Sequence, residues 1–214
     1  MELEITDGMR KLYGRLHQEL NKLPQTNWWV ITGPPNSGKS PLINYLAFEG
    51  YRIVPEAARL LIDEEVSRGK TLEEIRGNEA SFQRRVFRMK RRPEEIIPYD
   101  QLCFFDRGRE GDDAAYWVNA IEYHEPVSLP VNFLHGIALG LETRRRYKGI
   151  FLLDGLPSYQ RDYAKTEDAE EAKRIAQLLE HYYGTVFGYR VFKVPILPIS
   201  ERAQLILDHV NSIS

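Results

Sequence analysis

The sequence contains very little cysteine, since Cys103 is the only one among 214 residues. No disulfide can form within the chain, and Cys103 lies in an apolar run, which predicts a small buried side chain rather than a nucleophile. The apolar runs are far shorter than the roughly 20 residues that a membrane-spanning helix requires. The acidic residues 1–5 lack the pattern of a secretory signal. These absences predict a cytoplasmic protein without a membrane partner.

An excess of charge of one sign is also lacking. Lys and Arg number 29 and Asp and Glu number 31, and the net charge of −2 gives no general attraction to nucleic acid. The five histidines, which include His124 and His135, have no spacing typical of a metal site. The apolar content of 43% and the charged content of 28% are those of a globular protein. A chain of this length can bury a sizeable core in one domain.

The most informative feature that is present is a glycine-rich octapeptide. Residues 33–40 have the sequence GPPNSGKS, which fits the pattern G-x-x-x-x-G-K-[ST] of the P-loop. An apolar, β-prone run precedes it at 28–32, and residues 42–47 follow with helical spacing. Strand, glycine loop and helix is the context that the motif requires. This context outweighs the alternative of a chance glycine turn before a helix.

The residue types of the octapeptide suit the binding of a polyphosphate. Gly33 and Gly38 let the backbone approach phosphate oxygens, whose charge is favoured at a helix N-terminus. Lys39 offers a positive charge to the β- and γ-phosphates, and Ser40 offers a hydroxyl to Mg²⁺. The two prolines inside the loop each remove an N–H donor, but the amides from residue 36 onwards remain. The residues predicted to bind the nucleotide here are Gly33, Asn36, Ser37, Gly38, Lys39, Ser40 and Pro41.

Short apolar runs alternate with helical patterns along the rest of the chain. The predicted strands are 28–32, 51–54, 102–105, 150–153 and 189–194. The predicted helices are 7–23, 39–48, 56–67, 79–91 (ended by Pro93), 112–121, 132–147, 166–183 (capped by Thr166 and ended by Gly184) and 200–213 (capped by Ser200), with a capping box at 71–74 and a loop over 124–131. This pattern predicts an α/β fold, a three-layer sandwich around a central parallel five-stranded sheet with a helical lid or insert. The predicted division is an N-terminal helical extension over 1–27 and a nucleotide-binding domain over 28–214.

Polar side chains follow several of these strands, where open parallel sheets bind ligands. Asp106 follows the run 102–105, an arrangement in which a carboxylate holds Mg²⁺, although an aspartate that caps a turn is the alternative. Arg107 is a candidate to bind a phosphate or to form a surface salt bridge. Glu56 is the first choice for a base that deprotonates an acceptor, with Asp106 as the alternative. A carboxylate that stabilises a helix N-terminus is the other interpretation of Glu56.

Two further cations complete the predicted site. Arg161 and Lys165 are spaced i, i+4 after the fourth strand. Mobile cations at this position can close over a triphosphate, with Arg161 acting in catalysis and Lys165 binding the nucleotide. A solvated helix face is the alternative interpretation of this pair.

The stretch 84–92 is densely basic, with apolar residues interspersed at helical spacing. We interpret it as an amphipathic helix with a cationic outer face. A surface that binds an acceptor phosphate or nucleic acid is the alternative.

On these motifs the chain resembles a small branch of predicted ATPases within the kinase-like P-loop NTPases. It is similar to nicotinamide riboside kinase domains and, more distantly, to thymidylate-kinase-like enzymes. The resemblance covers about residues 28–212 and rests on GPPNSGKS at 33–40, GYRIVPEAAR at 50–59, FFDRG at 104–108, DDAAY at 112–116, YKGIFLLD at 147–154 and GYRVFKVP at 188–195. It implies a parallel sheet with the P-loop strand at its centre, bound ATP and Mg²⁺, and a lid that carries an arginine.

The resemblance also assigns individual positions. Lys39 and Ser40 match the P-loop pair, Asp106 and Arg107 match the strand-three motif, and Glu56 and Arg59 match the strand-two motif. The chain departs from its relatives at Pro41, where they usually have threonine, and between Gly108 and Asp112, where it is one residue longer. Lys165 stands at the position expected for the lid arginine, which leaves Arg161 as the substitute.

Together these features predict an ATP- and Mg²⁺-dependent phosphotransferase that acts on a small nucleoside-like or nucleotide-like acceptor. The predicted catalytic residues are Lys39, Glu56, Asp106, Arg107 and Arg161, and the predicted Mg²⁺ ligands are Ser40 and Asp106. ATP is favoured over GTP because no N-K-x-D-type guanine signature occurs. A nucleotide-hydrolysing switch that controls a partner and a polynucleotide 5′-kinase are the other functions that the sequence leaves open. The oligomeric state is not indicated.

Overall fold

Five parallel strands form the sheet at the centre of a computed structural model, which describes residues 7–124, 147–156 and 168–213. The strands are β1 (Trp28–Thr32), β2 (Ile53–Val54), β3 (Cys103–Asp106), β4 (Gly149–Leu153) and β5 (Val191–Val194). Their order in the sheet is β2-β3-β1-β4-β5, so β1, which leads into the P-loop, is central. The predicted α/β fold with a parallel five-stranded sheet is therefore confirmed.

Helices cover the sheet and connect its strands. They are α1 (Asp7–Asn21), α2 (Lys39–Phe48), α3 (Ala57–Ser67), α4 (Leu72–Arg76), α5 (Glu79–Ile96), α6 (Glu110–His124), α7 (Ala169–Glu180) and α8 (Ile199–Ile213), and a π-helical turn (His181–Val186) extends α7. The capping box predicted at 71–74 is present, with the Thr71 hydroxyl accepting from the Glu74 amide. Of the helices in the described part of the chain, none has the length and apolar character needed to cross a bilayer.

The two faces of the sheet bury separate apolar cores. Because side chains alternate along a strand, Trp28 and Val30 of β1 face one core, while Trp29 and Ile31 face the other. The first core is completed by α1, α6, α7 and the π-helical turn, and the second by α2 and α8. All five residues of β1 are buried, which is why this strand has a continuous apolar sequence rather than an alternating one.

A third, smaller core joins α3, α4 and α5 beside the sheet. Its buried side chains are Ala57, Leu61, Ile62, Ile75, Phe82 and Val86. On α5, Phe82 and Val86 are one helical turn apart and lie on its buried side. These three helices thus share a core of their own, and α5 also packs against α6.

Pro93 does not end α5 as the sequence suggests, because the helix continues to Ile96. A proline inside a helix removes one backbone hydrogen bond. Here the last turn is stabilised by tertiary contacts, since the buried Glu94 forms an ion pair with Arg109 at 3.2 Å and accepts a hydrogen bond from the Tyr147 hydroxyl at 2.5 Å. No local pattern shows these long-range contacts.

Several other predicted boundaries also differ. Gly184 lies inside the π-helical turn instead of ending a helix, and Asp168 caps α7 by accepting from the Glu171 amide at 2.8 Å. Ser200 lies within α8, which begins at Ile199. Strands β2 and β5 are shorter than predicted. Thr166, most of the predicted loop 124–131 and of the predicted helix 132–147, and the residues Arg161 and Lys165 lie outside the described residues.

Candidate nucleotide and acceptor site

The P-loop connects β1 to α2 at the carboxyl edge of the sheet. Its turn uses left-handed backbone at Asn36 (φ 58°) and Gly38 (φ 78°). Gly33 has no room for a side chain, because an added Cβ would lie 2.8 Å from the Leu153 carbonyl oxygen and 2.9 Å from the Ser37 hydroxyl. The loop is thus packed tightly enough to hold its amides in place, as an anion-binding loop must.

Lys39 is folded back against the loop that it follows. Its ammonium donates to the carbonyl oxygens of Gly33 at 2.8 Å and Pro34 at 3.0 Å, and to the Ser37 hydroxyl at 3.2 Å. Burial, together with the nearby Arg107 cation, lowers the pKa of Lys39 to about 7. A cation that is this strongly desolvated gains most from an incoming anion, which suits it to bind a polyphosphate.

A buried arginine supports the P-loop from the second core. Arg202 lies on α8, is 3% exposed and donates to the Ser37 carbonyl oxygen at 2.8 Å. The sequence analysis missed this residue. Its spacing with Ile206 and Val210 places it on the apolar face of α8, and a cation at such a position could have indicated a buried contact.

Asp106 ends β3 and is paired in register with Ile31 of β1, so its carboxylate lies beside the P-loop. Its Oδ1 atom is buried and has no hydrogen-bond partner among the described residues. Burial, and then the neighbouring Glu56 carboxylate, raises the pKa of Asp106 to about 7. A buried carboxylate oxygen without a described partner, in the same cleft as the exposed Ser40 of the first turn of α2, fits the oxygen ligands that Mg²⁺ prefers.

The described residues contain no cluster of three or more His, Cys, Asp or Glu side chains that could hold a metal by themselves. Mg²⁺ in P-loop sites does not need one, since phosphate oxygens and water supply most of its ligands. Ser40 and Asp106 are the described residues that could hold this ion, and their oxygen atoms fit it.

Arg107 and Glu56 form a partly buried ion pair next to the P-loop. The Arg107 Nε donates to Glu56 Oε1 at 2.7 Å, and its NH1 lies 3.3 Å from the Gly33 carbonyl oxygen. Arg107 has a left-handed backbone (φ 69°), and its guanidinium packs over Tyr116 with 4.6 Å to the ring centroid. Arg107 is thus neither a surface residue nor part of a surface salt bridge, because its side chain is only 9% exposed.

Glu56 occupies the N-cap position of α3, but its side chain makes no capping hydrogen bond. Burial alone would raise the pKa of Glu56, but the Arg107 and Lys39 cations outweigh that effect and hold it below its ordinary value. The carboxylate is therefore ionised at neutral pH, as a proton acceptor has to be.

Asp112, which follows Arg107 by five residues, completes what we call the ion-pair cluster (Glu56, Arg107 and Asp112). It is fully buried and lies 3.3 Å from the Arg107 NH1. Asp113 beside it binds Lys90, whose ammonium also donates to the Gly108 carbonyl oxygen at 2.8 Å. The roles of Asp112, Asp113 and Lys90 were not foreseen from sequence, because adjacent acids in the first turn of a helix are ordinary.

One cleft of about 580 Å³ is lined by most of these groups, but not by the buried Asp112 or Arg202. The P-loop and Asp106 line one part of it, and Glu56, Arg107 and Tyr116 line another. From there the cleft extends along α3, α4 and α5, where its wall includes Ala58, Arg59, Ile62, Arg76, Phe82, Gln83, Val86 and Lys90. Along α5, the residues from Lys90 to Phe82 span about 12 Å at 1.5 Å per residue. The cleft thus extends well beyond the P-loop.

A model of the family described as "AAA domain" matches residues 28–202. This chain belongs to the AAA domain family. No curated protein sequence matches it. Among solved structures, this AAA domain protein is similar to deoxyadenosine kinase from M. mycoides with the products dCMP and dCDP bound. The TM-score of this match is 0.65 and the sequence identity is 16%. The match covers 87% of this chain and 100% of that chain. Structures of the same kinase with bound dCTP and with bound dATP match with TM-scores of 0.62 and 0.59, at 15% and 14% identity, over 86% of this chain and 99% of each kinase chain.

These comparisons show that the AAA domain protein has the fold of a kinase-like P-loop NTPase. Identities of 14–16% support the fold alone. The similarity to nicotinamide riboside kinase domains stays a prediction, as do the roles of the individual site residues.

The basic stretch at 84–92 lies on α5 of this AAA domain protein. Its arginines Arg84, Arg88, Arg91 and Arg92 are exposed, while Phe82 and Val86 are buried. At 100° per residue these arginines lie on the side of α5 away from Phe82, Val86 and Lys90, which line the cleft. The interpretation as an amphipathic helix with a cationic outer face is confirmed, and this face does not lead into the cleft.

Proposed function

We propose that this protein is an ATP- and Mg²⁺-dependent phosphotransferase that acts on a small nucleoside-like or nucleotide-like acceptor. One observation carries the proposal. The P-loop with Lys39, the Asp106 carboxylate and the Glu56–Arg107 pair line a single cleft that also extends along α3 and α5. A volume of about 580 Å³ is in the usual range for small-molecule sites. It gives room for an acceptor beside the triphosphate tail.

At the triphosphate end, the backbone amides of the P-loop and the Lys39 ammonium bind the β- and γ-phosphate oxygens. Lys39 exchanges its present contacts with the loop carbonyl oxygens for these more strongly charged acceptors. Ser40 and Asp106 would hold Mg²⁺, which when bound offsets the negative charge of the phosphates. Arg202 keeps the Ser37 carbonyl group in place and so maintains the shape of the loop.

At the acceptor end, Glu56 accepts the proton of the attacking hydroxyl group while the acceptor oxygen bonds to the γ-phosphorus. The bond between that phosphorus and the β,γ-bridging oxygen breaks, and ADP leaves. Arg107 lies beside both Glu56 and the P-loop, so its guanidinium can turn from the carboxylate to the transferring phosphoryl group. This exchange of partners frees Glu56 to act as the base. An acceptor that already carries a phosphate would need no such base.

The comparisons support an acceptor of this size, since the matching kinase is a deoxyadenosine kinase whose structure holds the nucleotide product dCMP. ATP is the proposed donor and GTP the alternative. Arg161 and Lys165 are proposed to close over the triphosphate, as the sequence predicts.

Labelled ATP supplied with panels of nucleosides, nucleoside monophosphates and short 5′-hydroxyl oligonucleotides tests the proposal. We expect Mg²⁺-dependent transfer of label to at least one nucleoside or nucleotide, and loss of transfer in the Lys39→Ala variant. The matched control is Lys22→Ala, an exposed lysine paired with Glu19 on α1. Hydrolysis that no acceptor accelerates would contradict the proposal and favour a nucleotide switch. Transfer to oligonucleotides alone would favour a polynucleotide kinase.

A further inference from the structure

The Asp112 carboxylate is bound by four donors from three separate parts of the chain. Its Oδ1 accepts from the Thr32 hydroxyl at 2.6 Å and lies 3.3 Å from the Arg107 NH1. Its Oδ2 accepts from the Gly108 amide at 2.8 Å and from the Tyr183 hydroxyl at 2.7 Å. These four contacts use the acceptor capacity of a carboxylate, which has about four lone-pair sites. A fully buried anion with this many donors holds each of them in a defined place.

These contacts fix the turn that carries Arg107. Thr32 is the last residue of β1 and directly precedes the P-loop, while Gly108 directly follows Arg107. Arg107 has a left-handed backbone, which is unfavourable for a residue with a side chain and persists only where the surroundings hold it. Two hydrogen bonds from backbone N–H groups hold this turn from both sides. The Gly108 N–H donates to Asp112, and the Arg107 N–H donates to the Ile31 carbonyl oxygen. The turn thereby directs the guanidinium towards Glu56 and the P-loop.

The Tyr183 hydroxyl reaches Asp112 from a separate part of the chain, and two glycines make room for it. A Cβ on Gly108 would lie 2.4 Å from the Tyr183 hydroxyl oxygen, and one on Gly111 would lie 2.5 Å from its ring. Tyr183 belongs to the π-helical turn, a rare structure that is frequent at functional sites. Burial and the adjacent Asp112 raise the pKa of Tyr183 well above its usual range, so the phenol keeps the proton that it donates.

We propose that Asp112 is a positioning residue for Arg107, and that the hydrogen bond from the Tyr183 hydroxyl keeps Asp112 in the place from which it does so. This inference rests on the proposed function, in which Arg107 acts on the transferring phosphoryl group. Asp112 and Tyr183 do not touch the phosphate. They hold Arg107 beside the P-loop, so that only the partner of its guanidinium has to change when the phosphoryl group is transferred.

The Tyr183→Phe variant tests this, because it removes one hydroxyl group and leaves the ring in place. Replacing Asp112 itself would leave several buried donors without an acceptor and could unfold the protein. Tyr182→Phe is the matched control, since Tyr182 is a buried tyrosine of the same turn but not among the four donors to Asp112. Thermal melting of both variants checks that each is folded.

In single-turnover assays with labelled ATP, we expect Tyr183→Phe to slow phosphoryl transfer about tenfold, the scale of one hydrogen bond to a charged group. The KM for ATP should change less than about twofold, because the lost contact acts on the transition state. In an Arg107→Ala background, Tyr183→Phe should cause no further loss. Equal losses in both backgrounds, an equal loss in Tyr182→Phe, or no loss in Tyr183→Phe would each overturn the proposal.

A spectroscopic measurement keeps this test separate from the proposed function. The Arg107 Nε–H group donates to Glu56 and should give a protected ¹⁵N–¹H resonance, assigned by its loss in Arg107→Lys. We expect its exchange with water to be several-fold faster in Tyr183→Phe than in Tyr182→Phe. An unchanged exchange rate would overturn the positioning role even in an active enzyme. A protein that transfers phosphate to no acceptor would instead contradict the proposed function, and the exchange rates would still decide the inference.

Discussion

The P-loop and the ion-pair cluster beside it are built in two different ways. The P-loop is one continuous segment, residues 33–40, and it acts mainly through its own backbone. The ion-pair cluster assembles Glu56 before α3, Arg107 after β3 and Asp112 on α6. A local backbone motif can be recognised from sequence, whereas a cluster of side chains from separate elements depends on how those elements pack. Variants in the two regions should therefore fail in different ways.

The largest effect is expected for Lys39→Ala, which removes the one basic side chain in the P-loop sequence. We expect phosphoryl transfer to fall about a thousandfold, because a preorganised charge near the transferring group is lost. Steady-state assays with labelled ATP measure this, and Lys22→Ala on α1 should retain full activity. Turnover within tenfold of the unsubstituted protein would contradict the role of the P-loop.

Glu56→Gln should affect catalysis while it spares nucleotide binding. The amide keeps a hydrogen-bond acceptor for Arg107 but cannot take a proton, so transfer to a hydroxyl acceptor should slow about a hundredfold. Calorimetry should show an affinity for ATP within a few-fold of the unsubstituted protein. An unchanged rate would indicate that the acceptor needs no base, as with a phosphate acceptor, and would leave the ion pair with a structural role.

Gly33→Ala and Gly50→Ala separate close packing in the P-loop from backbone strain alone. At Gly33 the added methyl group meets the Leu153 carbonyl oxygen and the Ser37 hydroxyl, so the loop must shift and ATP affinity should fall about tenfold or more. At Gly50 (φ 89°) no atom lies within 4 Å, so we expect only a loss of about 1 kcal/mol in stability. Equal ATP affinities in the two variants would show that the loop tolerates the methyl group.

The smallest effect on activity is expected at Glu110, where the prediction concerns the pH dependence of stability. Glu110 is fully buried and accepts a hydrogen bond from the Tyr189 hydroxyl. Burial, and then the nearby Glu94, raises the pKa of Glu110 to about 7 from 4.5. Because the folded state holds this proton more tightly than the unfolded state, its contribution to stability is complete below about pH 4.5. That contribution falls as the pH rises towards 7, by about 1.4 kcal/mol per pH unit at most.

The Glu110→Gln variant removes this titration but keeps an acceptor for Tyr189. Denaturant unfolding between pH 4.5 and 7.5 should therefore show a weaker loss of stability with rising pH than in the unsubstituted protein. Parallel curves for the two proteins would show that Glu110 does not titrate in this range.

The sequence predicted the parts that follow from local patterns. The strands around the P-loop were predicted correctly because a strand buried on both faces has an uninterrupted apolar sequence, as in 28–32. The capping box at 71–74 was recognised because its two hydrogen bonds join residues three positions apart. Pro93 was misjudged because Glu94 is held by Arg109 and Tyr147, which are close only in the folded chain.

The residues of the candidate site also differ in whether a local pattern could predict them. Lys39, Ser40 and Asp106 could be selected in advance, since a P-loop and a carboxylate after an apolar strand are local signals that the order of parallel strands brings together. Glu56 and Arg107 were selected one at a time, but their pairing at 2.7 Å was not foreseen. Asp112, Tyr183 and Arg202 gave no strong local signal of their roles.

The sequence by itself determined the α/β fold, the position of the P-loop and the set of polar residues at the strand ends. These depend on hydrophobic periodicity and on backbone conformations that a few neighbouring residues fix. Only the tertiary structure decided which charges are paired, how Arg107 is held, and that one cleft runs from the P-loop to α5. Packing brings these groups within hydrogen-bond distance and removes water from around them. The ion-pair partners of a charged group and the strength of each ion pair depend on both the packing and the removal of water.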